Sequence, residues 1–233
     1  MRRLHCILLS FIPLILTGQS FQPKANDGVI IKHACYSLSY VEEHEQPEWV
    51  YYSLSSDMIS GIISRTDDFR EDPFVFSKSA SLQDFKGSGY DRGHLAPAAD
   101  MKNTTQCMSE SFFLSNMSPQ NASFNRGGWR KIESEIRELV KAEGLGYVVT
   151  GPILDRNLEY IGPNHVSIPD FYFKAVYLPY SERMVAYLAP NEKLNSNISM
   201  YRCTVDKIES ITKLDFYYQL EDNLEERLES TNR

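Results

Sequence analysis

The chain has 233 residues, 42% of them hydrophobic and 24% charged, and a formal net charge of −7 at pH 7. This length suits one domain with a substantial core, and no internal repeat or low-complexity tract indicates a second domain. The acidic balance argues against a protein that holds nucleic acid through a broad basic surface, because lysine and arginine make most phosphate contacts.

The N-terminal segment differs from the rest of the chain. Two arginines precede an apolar run at residues 7–16, and small residues follow, ending at Ser20. This pattern is typical of a secretory signal peptide. A membrane anchor is the alternative, but the run is shorter than the roughly twenty residues of a spanning helix and contains Pro13. We expect a signal peptide over 1–20, one domain over 21–233, a secreted or periplasmic location and no stable membrane association after cleavage.

Three cysteines remain after this leader, Cys35, Cys107 and Cys203. An oxidising compartment would allow one disulfide bond and leave one free thiol, and the spacing does not say which pair forms. There is no Cys-x-x-Cys pair, and the later histidines lack the spacing of zinc ligands. A zinc site with several histidines is therefore not expected.

Hydrophobic periodicity predicts an α+β fold with a mixed, largely antiparallel central sheet flanked by helices. The predicted strands lie at 29–40, 49–54, 112–114, 146–153, 171–177 and 184–188. A turn is predicted at 42–47, a charged loop at 62–76 and a Ser/Gly-rich connection at 77–89. The predicted helices lie at 128–141, 205–212, with Thr204 as N-cap, and 224–228.

The helix at 128–141 is amphipathic and ends before Gly144. At about 100° per residue, one apolar stripe contains Trp129, Ile132, Ile136, Leu139 and Val140. Glu133 falls about 20° outside that stripe, at the rim of the buried face. A carboxylate there needs a partner. Arg137, at position i+4, could form a surface ion pair with it, and a hydrated metal ion is the alternative.

Residues 90–97 combine groups that suit phosphate chemistry, with Asp91, Arg92, Gly93 and His94 in succession. An arginine binds phosphate oxygens well, and a glycine allows a ligand or the backbone to approach closely. A histidine titrates near neutral pH and can accept a proton in a reaction. A lone histidine can equally be a structural residue, so the motif depends on its context.

Further motifs follow in the chain: Ser-Asn at 115–116, Pro-Gln at 119–120 and Asn-x-x-x-Trp-x-x-x-Glu at 125–133. Together with Asp-Arg-Gly-His, they resemble the DNA/RNA non-specific endonuclease family, the endonuclease G-like nucleases of the ββα-metal class. The resemblance is strongest over residues 85–133. It implies a ββα-metal catalytic motif and metal-dependent hydrolysis of phosphodiester bonds, with DNA and RNA as substrates.

The resemblance also implies a role for each motif residue. His94 matches the general base, and Asn125 matches the direct ligand of a single Mg²⁺ ion or another divalent cation such as Mn²⁺. Glu133 matches a group that orients water at the metal. Arg92 matches an arginine that contacts the substrate phosphate.

Three further residues have an expected role and an alternative. Arg65 stands where a second phosphate-binding arginine is expected, and a solvated loop charge is the alternative. Asn116 is expected to support the site by hydrogen bonding, or it is simply a turn asparagine. Asp91 is expected to tether its loop rather than bind metal. The Gly127-Gly128 pair departs from the family pattern and is expected to loosen the helical turn behind Asn125.

The acidic net charge limits how such an enzyme could bind its substrate. Without the two arginines of the leader the net charge is −9. A local patch around one cation would still serve turnover, and its candidates are Arg65, Arg92, Arg126, Arg130 and Lys131. The alternatives from other classes are a phosphodiesterase for nucleotides or small diesters and a non-catalytic nucleic-acid-binding module.

Overall fold

The computed structural model describes residues 20–231. Its main feature is a seven-stranded antiparallel sheet with the order β1-β2-β3-β6-β9-β10-β11. These strands are β1 Val29–Lys32, β2 Ser37–Val41, β3 Gln46–Ser55, β6 Leu145–Pro152, β9 Phe171–Leu178, β10 Arg183–Pro190 and β11 Arg202–Cys203. Two small antiparallel sheets pair β4 Asp91–His94 with β5 Met117–Gln120, and β7 Tyr160–Ile161 with β8 Val166–Ser167.

Six α-helices accompany these sheets within the described residues. They are α1 Ser56–Ser60, α2 Leu82–Phe85, α3 Thr105–Glu110, α4 Arg130–Glu143, α5 Val205–Thr212 and α6 Asp222–Glu229. Short 3₁₀ turns lie at Ala98–Asp100, Leu114–Asn116 and Ile198–Tyr201, and a wide helical turn at Phe124–Trp129 leads into α4. No helix of the described part is long and apolar enough to span a bilayer.

The central sheet is buried on both faces. Successive side chains of a strand point to opposite faces, so Val50 and Tyr52 of β3 join one apolar cluster while Trp49 and Tyr51 join the other. Helix α4 covers the first face with Trp129, Ile132, Ile136 and Val140. Helices α5 and α6 cover the second face with Val205, Ile208 and Leu228. Burial of each such side chain stabilises the fold by about 1.5–3 kcal/mol. This burial fixes the position of α4 and of Glu133 on its first turn.

The predicted α+β class and largely antiparallel sheet are confirmed, with corrections to some elements. The strand predicted at 112–114 is wrong: Phe112 lies in a turn, Phe113 forms only an isolated bridge with Arg70, and Leu114 begins a 3₁₀ turn. Phe112 and Leu114 pack in small apolar clusters beside the sheet, and the ring of Phe113 lies under the guanidinium of Arg70. The strand instead occupies Met117–Gln120, where a proline and two polar residues hide the usual strand pattern.

The predicted strand at 29–40 is two strands, because the chain turns back between β1 and β2. The amide of His33 donates to the carbonyl of Tyr36 (2.8 Å) and closes that turn. A disulfide joins Cys35 in the turn to Cys107 in α3, with Cα atoms 5.4 Å apart. Cys203 is the free thiol within the described residues.

Candidate active site

The strand β4 carries the Asp-Arg-Gly-His motif and pairs with β5, which places Gly93 opposite Ser118 and His94 opposite Met117. A Cβ atom at Gly93 would lie 2.1 Å from Cδ of Gln120, so only glycine permits this close approach. The wide turn and α4 follow β5 directly in the chain. The strand β4, the wide turn and α4 thus hold all the predicted site residues except Arg65 and Asn116.

The turn before α4 is where the two glycines act. Gly127 has φ −107° and ψ −106°, which departs from helical geometry. Gly128 is buried, and a Cβ there would lie 2.4 Å from Cβ of Leu194. The pair lets the chain turn sharply and pack closely, and it separates the turn that contains Asn125 from the regular helix that contains Glu133.

Asn116 is fully buried behind the strand that carries the histidine. Its Nδ2 donates to the carbonyls of Ala96 (3.0 Å) and Ser111 (2.8 Å), and its Oδ1 accepts from the amide of Ala96 (2.9 Å). Its own carbonyl accepts from the amide of Leu95 (3.0 Å). The side chain therefore fixes the backbone immediately after His94 and does not itself reach the solvent side of the site.

His94 packs against two aromatic rings that also contact each other, with their centroids 4.9 Å apart. The rings of Phe69 and Phe112 meet it edge to face, with centroids 5.7 Å and 4.9 Å away. Its Nε2 is buried and has no hydrogen-bond partner within residues 20–231. Burial, together with the charges of Arg65 and Arg92, lowers the pKa of His94 to about 3. The imidazole is therefore neutral at pH 7 and can accept a proton.

Arg65 and Arg92 each lie over one of the aromatic rings that contact His94. The guanidinium of Arg65 lies 4.7 Å above the Phe112 ring, and that of Arg92 lies 4.4 Å above the Phe69 ring. Both arginines are exposed, and Arg65 also pairs with Asp67 (2.6 Å). The fold thus brings Arg65 from the loop before α2 close to the motif on β4. The sequence alone did not establish this proximity.

Asn125 and Arg126 both bind Asp91. Nδ2 of Asn125 donates to Oδ2 of Asp91 (2.9 Å), and Nε of Arg126 donates to the same oxygen (2.8 Å). Burial alone would raise the pKa of Asp91, but the hydrogen bonds from Arg126 and Asn125 lower it. Asp91 thus holds the side chains of Asn125 and Arg126. Asn125 uses its Nδ2 group for this hydrogen bond and not its amide oxygen.

Glu133 is partly buried on the first turn of α4, at the rim that the helical spacing predicts. Burial raises the pKa of its carboxyl to about 7, while Lys174 is the largest charge that opposes the rise. Arg137 does not form the surface ion pair with Glu133. Its guanidinium pairs with the carboxylate of Asp100 (2.8 Å) instead. The carboxyl of Glu133 forms no salt bridge within residues 20–231 and lies near a polar network that includes Lys174, Asp100 and Arg137.

That network contains residues which the sequence interpretation missed. Lys174 on β9 is fully buried, and its Nζ donates to the carbonyl of Leu95 (3.1 Å), next to His94. Tyr52 donates to Oδ2 of Asp100 (2.9 Å). The available signal was a lysine inside the apolar run of β9, since a fully buried lysine needs a partner. Phe69 and Phe112 carried no comparable signal, because loop phenylalanines commonly belong to a core.

The donor set fits a hard divalent cation. Mg²⁺ prefers oxygen ligands, keeps several of its waters and needs few protein groups. The amide oxygen of Asn125 and the carboxylate of Glu133 are such donors, whereas Asp91 is held by Arg126. His94, on the strand whose Asp91 binds Asn125, has an unpartnered imidazole nitrogen, and two cationic side chains lie over the rings that contact it. This combination suits the binding and hydrolysis of a phosphodiester.

Three known proteins illustrate what the chain is similar to. The mitochondrial nuclease EXOG of Mus musculus is 31% identical over 210 residues, which are 82% of this chain and 57% of that protein. The mitochondrial endonuclease G of Homo sapiens is 33% identical over 193 residues, 76% of this chain and 65% of that protein. The chain thus spans less than two thirds of either relative. A crystal structure of the EndoG/EndoGI complex matches with a TM-score of 0.77 and 29% identity, over 85% of this chain and 90% of that one.

These relatives contradict the secreted or periplasmic location predicted from the N-terminal pattern, since both are named as mitochondrial proteins. An N-terminal segment that has arginines and lacks acidic residues is common to export signals and organelle transit peptides. Such a pattern therefore does not specify export. Residues 1–19 lie outside the described part, and the boundary between residues 20 and 21 stays a prediction.

The family model of the DNA/RNA non-specific endonucleases matches residues 17–223, which include β1 to α5, both strands of the small β4–β5 sheet and all of α4. The motifs, the ββα arrangement and the two relatives agree with that match. The chain therefore belongs to the DNA/RNA non-specific endonuclease family.

Proposed function

We propose that this protein is a metal-dependent endonuclease that hydrolyses phosphodiester bonds of DNA and RNA, with His94 as general base and a single Mg²⁺-type ion held by Asn125. The observation that carries the proposal is the buried Nε2 of His94, which lacks a hydrogen-bond partner in residues 20–231 and lies near two arginines. A structural histidine would normally satisfy both ring nitrogens, whereas a base keeps one free for the proton it removes.

Arg65 and Arg92 bind the phosphate of the substrate. Their guanidiniums are exposed, and each is held over an aromatic ring on one side of His94. A bound phosphodiester brings a negative charge between them and offsets their effect on the imidazole. The pKa of His94 then rises from its low value, so the ring can hold the proton that it takes from the attacking water.

The remaining residues hold water and the cation in place. Asn125 would hold the cation directly through its amide oxygen, and its N–H group donates to Asp91 (2.9 Å). Glu133 orients the attacking water, and Lys174 favours the ionised form of its carboxyl. A bound Mg²⁺ or Mn²⁺ ion would stabilise negative charge on the phosphate and on the leaving oxygen.

The first experiment is digestion of plasmid DNA and of RNA, with and without EDTA. An endonuclease cuts both polymers only when the cation is present. A phosphodiesterase for nucleotides or small diesters would spare the polymers and cleave bis(p-nitrophenyl) phosphate. A non-catalytic binding module would cut neither. Cleavage that persists unchanged in EDTA would overturn the one-metal assignment.

Substitutions separate the base from the metal ligand. His94→Ala should lose roughly 10²- to 10⁴-fold in rate, retain Mg²⁺ binding and regain activity with added imidazole. Asn125→Ala should raise the Mg²⁺ concentration needed for half-maximal rate, and imidazole should not help it. Glu133→Ala should lose roughly 10- to 100-fold. The control is His165→Asn, because His165 is exposed with φ 59°, a conformation that asparagine tolerates. Equal activity of His94→Ala and this control would refute the role of His94.

A further inference from the structure

A group of carboxylates lies where α5 and α6 meet, away from the residues discussed so far. Asp206 and Glu209 are one helical turn apart on α5, and Glu229 is the last residue of α6. One carboxylate oxygen of each lies within 4.8 Å of the other two. Three ionised groups this close repel one another strongly unless something positive or a proton lies between them.

The buried member of this group has an unsatisfied oxygen. Glu229 is only 6% exposed, and its Oε1 is buried without a hydrogen-bond partner in the described residues. The largest charges acting on Glu229 are four other carboxylates, those of Glu209, Glu225, Asp206 and Asp215. A buried carboxylate normally pairs with a cation or a metal ion, so this one points to a ligand.

We propose that Asp206, Glu209 and Glu229 bind a divalent cation of the calcium type that links α5 to α6. Calcium takes oxygen ligands at 2.3–2.6 Å in a flexible geometry, so two oxygens on one ion lie at most about 5 Å apart. The observed limit of 4.8 Å meets this requirement for all three oxygens. Asp206 is exposed and gives the ion a path from solvent.

Protonation is the competing way to remove the repulsion. Burial and the neighbouring carboxylates raise the pKa of Glu229 to about 9, and burial raises that of Glu209 to about 7. A shared proton, however, would bring two carboxylate oxygens to hydrogen-bond distance. Oε1 of Glu209 already accepts from the amide of Phe216 (2.7 Å). One shared proton joins only two carboxylates, whereas a cation compensates all three that meet here, so this arrangement favours a cation.

The proposed site is separate from the nuclease site. Helices α5 and α6 pack on the opposite face of the central sheet from α4. The site therefore stabilises the docking of α6 and takes no part in phosphodiester chemistry. The sequence pattern did not show it, because acidic residues on exposed helices are common and these meet only after the chain folds.

Terbium luminescence tests the proposal directly. Tb³⁺ replaces Ca²⁺ and is excited through a nearby aromatic ring, here that of Tyr217, which follows Phe216 beside Glu209. The experiment uses the full chain with Asn125→Ala, so that the nuclease site does not contribute. We expect one Tb³⁺ per chain, displaced by Ca²⁺, and a rise in Tm of about 5–10 °C at a hundredfold excess of Ca²⁺ over Kd.

Variants then assign the signal to these carboxylates. Glu229→Gln should weaken Tb³⁺ binding at least tenfold and abolish the Ca²⁺-dependent rise in Tm. Asp206→Asn repeats the test at an exposed position that leaves the core unchanged. The matched control is Glu226→Gln, an exposed carboxylate of the same helix. The proposal is wrong if the protein with all three carboxylates intact gives no sensitised luminescence, or if Glu229→Gln and Glu226→Gln bind Tb³⁺ equally. Either result would mean that the carboxylates hold protons.

Discussion

Lys174→Met probes the buried network behind the nuclease site. The substitution keeps an unbranched side chain in a fully buried position and removes its charge and its hydrogen bond to the carbonyl of Leu95. Lys174 is also the largest charge that lowers the pKa of Glu133. Lys174 forms no ion pair within residues 20–231, so the main loss is its hydrogen bond, and a buried carbonyl left unpaired costs about 1–3 kcal/mol. We expect about 1–2 kcal/mol of lost stability, because burial lowers the pKa of Lys174 and removing its buried charge offsets part of this cost.

The same substitution should alter metal dependence in a predictable direction. The pKa of Glu133 is about 7, so roughly half of these carboxyls are ionised at pH 7. A further rise of about one pKa unit, equivalent to about 1.4 kcal/mol, would leave roughly a tenth ionised. The apparent Mg²⁺ affinity at pH 7 should then fall about fivefold. At pH 9 the carboxyl is largely ionised in both proteins, so the difference should nearly vanish.

Three measurements check this reasoning. Denaturant unfolding gives the stability change, Mg²⁺ titrations of plasmid nicking at pH 7 and pH 9 give the metal dependence, and carboxyl NMR of the metal-free protein gives the pKa of Glu133. Lys86→Met, at an exposed position, is the control. If Lys174→Met is less stable but its Mg²⁺ dependence at pH 7 matches that of Lys86→Met, Lys174 supports only the fold and its coupling to Glu133 is absent.

Further predictions follow from single features. The pKa of His94 falls from 6.5 to about 3 on folding, so the unfolded chain binds more protons than the folded chain between these pH values. As pH falls through this window, the metal-free protein should therefore lose stability relative to His94→Ala, by on the order of 1 kcal/mol per pH unit. Urea midpoints that change in parallel for the two proteins would contradict this. Asn116→Ala leaves three buried backbone groups without partners and should lower the free energy of unfolding by about 2–4 kcal/mol. The measurement is Tm, and a nearly unchanged Tm would mean that water replaces the amide. Peptide mapping should find Cys35 linked to Cys107, and replacing both by alanine should cost about 2–4 kcal/mol in urea unfolding. The salt dependence of substrate binding should be shallow, with a log–log slope of about −2 to −4, and a slope near −8 would reveal a broad cationic surface.

Local patterns predicted the elements that depend on local physics. The apolar stripe of α4 is buried as its period requires, with Trp129, Ile132 and Val140 at zero exposure. Helix α5 has the predicted bounds, and the hydroxyl of Thr204 caps it by accepting from the amide of Lys207 (3.1 Å). The strand β5 was not predicted, because its pairing with β4 comes from tertiary contacts and its residues are largely polar.

The chemistry of the site depends on contacts that no local pattern contains. The motif identifies His94, but the low pKa of its ring comes from burial and from an arginine in a distant loop. Helical spacing places Glu133 at the rim of the core, but the charge that opposes its protonation belongs to β9, on the other side of the apolar layer. The sequence thus predicts which residues form the candidate site, whereas the protonation states of those residues depend on the fold.

The same distinction resolves the apparent conflict between an acidic chain and an anionic substrate. Net charge sums over the whole surface, whereas phosphate binding depends on which cations are free near the site. Arg126 was a candidate for the local patch, yet it is committed to Asp91, and Arg137 is committed to Asp100. Arg65 and Arg92, held over aromatic rings beside a neutral imidazole, are the cations that meet the phosphate in this proposal, because the ion pair of Arg65 with Asp67 is solvent-exposed at both side chains. A patch this small favours release after cleavage, since only a few ion pairs with phosphate must break before the product dissociates. It also explains why a shallow salt dependence is compatible with a chain of net charge −7.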